Sequence, residues 1–165
     1  MHGLFQTEDY ARAVIMLGHQ AAPAWEIDNR VALRMKRQDL LTGADPPKVW
    51  SVMDETALRR PVGGPQVMRA QLHHLAEIAQ LPQVTVQVVP FRHGGHAAAG
   101  GPFTILRFAE PDLRDVVYIE QLTSALYLDK PTEVDSYLEV MEQLCLQAEP
   151  TAKTTDILNG ILKDC

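Results

Sequence analysis

Cysteine is nearly absent from this 165-residue chain: it occurs twice, at Cys145 and at the terminal Cys165, and neither belongs to a C-x-x-C pair. A disulfide framework and a zinc finger are thereby excluded. Aromatic residues supply only 6% of the chain. Positive charge is in deficit, with 15 Lys and Arg against 21 Asp and Glu, a formal charge of −6. That balance argues against a surface that holds nucleic acid or anionic membrane through bulk charge. No apolar run approaches the ~18 residues of a membrane helix. The first residues, Met1-His2-Gly3-Leu4-Phe5-Gln6-Thr7-Glu8, turn polar too early for a secretory signal. The expectation is a cytoplasmic protein with no membrane partner. Also missing are a G-x-S-x-G elbow, an H-E-x-x-H helix, a Walker loop and a dinucleotide fingerprint, so no cofactor is expected.

What is present describes an ordinary folded chain, 46% apolar with modest net charge. The fold class expected is α+β (mixed α/β): a βαβ unit continued by an antiparallel meander, about five strands, flanked by N- and C-terminal helices. A single domain, 1–165, accommodates helices over 7–41, a sheet with its crossover helix over 49–128, and C-terminal helices over 133–163. Thr7 reads as a helix cap with Glu8 and Asp9 in the first turn. A second helix fits Ala24 to about Leu41, and Arg30, Arg34 and Arg37 share a stripe of it. Val49 to Met53 and Val84 to Val89 read as buried strands around a helix carrying Met68, Leu72, Leu75 and Ala79, which makes the strands parallel. Phe103 to Phe108, Val116 to Glu120 and Ala125 to Leu128 follow as short strands with turn-rich connections. Val134, Leu138, Met141 and Cys145 form one helical stripe, and a last helix spans about Thr154 to Lys163. Phe5, Trp25 and that last helix offer apolar surface for a homodimer.

Ligands of mixed α/β sheets favour the carboxyl ends of parallel strands. Here those ends carry Asp54-Glu55 with Arg59-Arg60, and Pro90 with the His93–Gly101 loop. The two acids and two arginines form either a polar rim or structural ion pairs. His93 and His96 alone are too few for a catalytic zinc, and no metal is expected. His73 and His74 are neighbours on a helix and read as surface, while Cys145 reads as core rather than nucleophile. Tyr118 and Glu120 alternate on one strand and so share a face. They serve either as an acid/base pair or as an ion-pairing patch.

Several segments together carry a family resemblance. They include Gly3-Leu4-Phe5-Gln6-Thr7-Glu8-Asp9-Tyr10-Ala11-Arg12-Ala13, Arg30-Val31-Ala32-Leu33-Arg34, Asp54 to Gly64, Met68-Arg69-Ala70-Gln71-Leu72, Val84 to Phe91, Gly101 to Phe108, Asp115 to Glu120 and Leu126-Tyr127-Leu128-Asp129. The chain resembles the C-terminal domain of unknown function in actinobacterial XRE-type, antitoxin-like transcriptional regulators. The resemblance implies a domain that follows a helix-turn-helix and senses a small molecule or binds a small partner protein encoded nearby. This sequence begins immediately before the motif, so the expectation is a chain lacking the helix-turn-helix, consistent with an acidic balance unsuited to phosphates.

Two functions follow. The first is a ligand- or partner-binding module without direct nucleic-acid binding, its pocket lying between the first two helices and the sheet. Gln6, Thr7, Tyr10, Arg34, Glu55, Arg60, Tyr118 and Glu120 would line it. The second is a stand-alone biosynthetic enzyme of secondary metabolism on the same scaffold, running cofactor-independent acid/base chemistry as an isomerase, cyclase, dehydratase or hydrolase. Glu55, Glu120, Tyr118 and His96 would carry protons, and Arg60 would face a developing oxyanion.

Overall fold

The computed structural model describes residues 1–121 and 124–164, and Cys165 lies outside them. In chain order the helices and strands are α1 (Glu8–Gly18), α2 (Ala24–Arg37), β1 (Val49–Asp54), α3 (Glu55–Arg59), α4 (Pro65–Ile78), β2 (Val84–Val89), β3 (Thr104–Leu106), β4 (Val116–Glu120), β5 (Ala125–Leu128), α5 (Pro131–Gln147) and α6 (Thr154–Asp164). They divide into two units. One comprises Met1–Phe91 with the chain from Glu149 onward, and the other comprises Arg92–Ala148.

In the first unit, β1 and β2 pair in parallel from Val49↔Val84 to Asp54↔Val89, with α4 as the connection. Local chemistry sets the boundaries. Thr7 starts α1 by accepting a bond from the Tyr10 N–H, and Glu8 and Asp9 sit at the positive end of the helix dipole. Pro65 opens α4 where a helix lacks an N–H partner anyway. The apolar stripe of α4 then buries Met68, Leu72 and Leu75 against Phe5, Leu58, Val88, Leu158 and Ile161. Each such side chain contributes ~1.5–3 kcal/mol by leaving water. A smaller cluster of Ile15, Ile27 and Val31 joins α1 to α2.

The second unit holds β3, β4 and β5 as an antiparallel sheet, in register through Thr104↔Tyr118↔Tyr127. Val117 is fully buried there, and Phe103 packs its ring 5.0 Å from that of Tyr137 on α5. The meander is thus a sheet of its own rather than an extension of the parallel pair.

Several boundaries depart from the sequence expectation. Helix α2 stops at Arg37, and the chain tightens into a 3-10 turn over Gln38–Leu41 that buries Leu41. Strand β3 is shorter at both ends, and Arg107 just beyond it forks onto Asp115 with 3.0 and 2.6 Å bonds. The short helix α3 was unexpected. Asp54 caps it by accepting the Thr56 N–H at 2.6 Å. The apolar surface expected at Phe5 and the last helix is in fact core: Phe5, Leu158, Ile161 and Leu162 are all buried, and only Trp25 is exposed. On α5, the fully buried positions are Val134 and Leu144, and Cys145 is half-buried, with burial and the nearby Glu142 pushing its thiol pKa up.

Two glycines test this account. Gly63 has φ +75°, and an added Cβ would come 2.9 Å from Val67 Cγ1 and 3.0 Å from the Ala13 Cβ. Gly160 lies inside α6 with open space around it. Urea unfolding is expected to show Gly63→Ala losing about 1–3 kcal/mol and Gly160→Ala gaining about 0.5–1 kcal/mol.

Candidate functional site

The amino-terminal motif is fixed by glutamines. Gln71 on α4, with 0% of its surface exposed, donates from Nε2 to the Phe5 carbonyl at 2.6 Å and accepts the Thr7 N–H on Oε1 at 2.7 Å. Gln38 donates to the carbonyls of Gly3 (3.2 Å) and Gln6 (2.6 Å). Gln6 is itself buried. It donates to the Met1 carbonyl at 2.9 Å and accepts from Arg34 Nη1 at 2.9 Å. Polar groups taken this far from water must be paired, and these pairs are internal. Thr7 spends its hydroxyl on the α1 cap. Tyr10 is buried, which raises its pKa and keeps its hydroxyl protonated. The arginine stripe of α2 splits into separate tasks: Arg30 pairs with Glu26 at 2.8 Å, Arg34 binds Gln6, and Arg37 is exposed.

The carboxyl ends of the parallel strands are tied together by Glu55. Its side chain is only 12% exposed. Oε1 accepts from Arg59 Nε at 2.6 Å, and Oε2 accepts the Phe91 N–H at 2.9 Å. Arg59 also reaches Asp164 at 3.1 Å and lies over the Phe91 ring, 5.9 Å from its centroid. The structural ion pair is therefore Glu55–Arg59, while Asp54 serves as the α3 cap. Arg60 ends α3 through its backbone N–H to the Thr56 carbonyl at 3.1 Å. Its side chain is exposed, and no carboxylate among the described residues meets it. Gly63 and Gly64, both at positive φ, follow it into α4.

The remaining expected residues belong to the second unit. Tyr118 is half-buried on β4 with its ring 5.1 Å from that of Tyr127. Glu120 shares that face and is exposed at the strand end. His96 precedes a 3-10 turn over Ala97–Gly100. His93 is exposed, and no group of three His, Cys, Asp or Glu among the described residues is placed to hold a metal. His73 is a surface residue, whereas His74 is half-buried with its Nε2 unpaired. The structure thus brings Gln6, Thr7, Tyr10, Arg34, Glu55 and Arg60 into one unit and Tyr118, Glu120 and His96 into the other. The second unit also holds an open depression of about 600 Å³, flanked by Phe108, Leu113 and Val116 and by Asp112, Arg114, Asp129 and Lys130. No expected site residue lines it, because its walls come from the turns on either side of β4 and β5, which show no periodic pattern.

A family model described as a domain of unknown function (DUF5753) matches residues 1–160. No curated protein and no solved structure matches the chain.

Two measurements separate structural from free groups. In a denaturant double-mutant cycle, Glu55→Ala and Arg59→Ala are expected to couple by about 0.5–1 kcal/mol, since the pair is partly exposed. Arg60→Ala should stay within about ±0.5 kcal/mol and show no coupling to Glu55→Ala. The second concerns His2, whose pKa burial lowers from its ordinary 6.5, while its Nδ1 accepts the Leu4 N–H at 3.3 Å. A depressed folded pKa gives stability that is complete above 6.5 and is lost as pH falls through that value. Melting between neutral pH and pH ~5 should fall less steeply in His2→Asn, which keeps a capping acceptor and does not titrate.

Proposed function

We propose, from the premise that this chain belongs to the DUF5753 family, that it is a binding module rather than a catalyst. It is read as the sensing part of actinobacterial XRE-type, antitoxin-like regulators, taking a small molecule or a small partner protein without covalent chemistry. The observation that carries this reading is the contrast between Glu55 and Arg60. Both carboxylate oxygens of Glu55 are held, one by Arg59 and one by the Phe91 N–H. Proton transfer at Glu55 would break those bonds. Arg60, at the C-cap of α3 just past the end of β1, keeps its guanidinium in solvent with no carboxylate among the described residues against it. A rigid, permanently charged fork of this kind grips carboxylate or phosphate oxygens bidentately. The recognised group is therefore an anion, carried by a metabolite or by an acidic side chain of a partner. The net charge of −6 supports the absence of direct nucleic-acid binding.

A thermal-shift panel of organic carboxylates, phosphates and acidic peptides tests the reading. Saturable stabilisation is expected, near ~2.7 kcal/mol at a hundredfold excess over Kd, with the ligand recovered unchanged by mass spectrometry. Arg60→Ala should weaken that binding at least ~10-fold. Turnover of a panel compound, or binding indifferent to Arg60→Ala, would refute the proposal. Turnover would direct attention to Tyr118, Glu120 and His96.

A further inference from the structure

Strand β5 is the outer strand of its sheet, and among the described residues no strand pairs with its far side. Ala125, Leu126 and Tyr127 are all exposed, Leu126 at 43% and Tyr127 at 68%. Natural sheets blunt such edges with Lys, Pro or a bulge. Ala125-Leu126-Tyr127-Leu128 contains no charge and no proline, and it pairs regularly with β4. An edge left this open is a template along which another strand can pair.

We infer that β5 pairs antiparallel with β5 of a second copy of this chain, joining the two three-stranded sheets across a two-fold axis. Such an axis, perpendicular to the sheet, keeps every side chain on its own face. Residues of the same parity therefore meet. With the axis at Tyr127, that residue faces Tyr127 of the second copy, and Leu126 faces Leu128 of the second copy. Tyr118 and Tyr127 already stand side by side with ring centroids 5.1 Å apart. The aromatic row of one sheet then continues without interruption into the other, and cross-strand aromatic and aliphatic pairs are the stabilising unit of such ladders. Placing the axis at Leu126 instead would pair Leu126 with its own copy but set Tyr127 against Ala125 and Leu128 against Ser124, which breaks the aromatic row.

Two chains of −6 each repel overall, so a joint between copies must keep its own carboxylates apart. In the Tyr127-centred register Asp129 falls opposite Ala125, so no carboxylate directly faces another across the joint. The apolar surface of Phe5 and α6 is consumed by the core, and β5 offers what they do not. This inference does not depend on the binding reading above.

Sedimentation equilibrium of the full chain across micromolar concentrations is expected to give a mass near twice 18.4 kDa. Tyr127→Lys, at an exposed position, should keep the circular dichroism and melting temperature of the parent while weakening association at least ~10-fold. Trp25→Ser should leave association unchanged. In a Cys145→Ser, Cys165→Ser background, Tyr127→Cys should form an intermolecular disulfide on mild oxidation, since directly opposed strand residues fall within disulfide reach. Leu126→Cys should not. A monomer at every concentration, a dimer indifferent to Tyr127→Lys, or trapping by Leu126→Cys in preference to Tyr127→Cys would each overturn the inference.

Discussion

One buried amide holds the first unit in register. Gln71 sits among Met68, Leu72 and Leu75 on the apolar stripe of α4, where an unpaired polar group would cost ~1–3 kcal/mol. It is tolerated because its two ends meet the Phe5 carbonyl and the Thr7 N–H. Those bonds fix the chain on either side of Gln6 and set the direction in which α1 departs. They also press Phe5 into the core, so a hydrophobic and a polar constraint act on the same three residues.

The same economy explains why the motif residues that look functional are mostly structural. Gln6, Thr7 and Glu55 each complete a backbone or side-chain pairing that the fold would otherwise leave open. Glu55 illustrates the point best. One carboxylate caps off β2 through the Phe91 N–H and anchors α3 through Arg59, so the carboxyl ends of both parallel strands depend on it. Arg60, five residues on from Glu55, escapes this demand because α3 ends there and its side chain turns to solvent.

Much of the architecture was legible in the sequence because it rests on periodicity and on short-range signals. Val84 to Val89 reads as a buried strand from its apolar run, and Thr7 reads as a cap from its acidic followers. Helix α3 is not legible in the sequence because five residues carry too little periodicity, although Asp54 followed by Glu55 and Arg59 holds the capping and ion-pair pattern. The partition of the strands into two sheets was not legible, since pairing across the Gly-rich stretch is a long-range choice that alternation does not encode. The site was less legible than the fold. Nothing local to Glu55 reveals that its second oxygen belongs to Phe91, and a surface depression assembled from turns has no pattern of its own. Gln71 did leave a trace, as a polar residue in line with an apolar stripe, which is the mark of a buried polar contact.

The first unit is discontinuous along the chain, and this sets the order in which it is completed during synthesis. Glu149 rejoins it through its N–H to the Val88 carbonyl at 2.8 Å, and Thr154 follows with a 2.6 Å bond to the Val86 carbonyl. Leu158, Ile161 and Leu162 then enter the cluster that already contains Phe5, Leu72 and Leu75. A ribosome therefore releases the helices and strands of the first ninety-odd residues long before the helix that seals them. Throughout that interval the growing chain exposes an open apolar face while the second unit is still being made, which is the condition under which nascent proteins recruit chaperones. Helix α6 acts as the closing stone of an arch whose other stones are already standing.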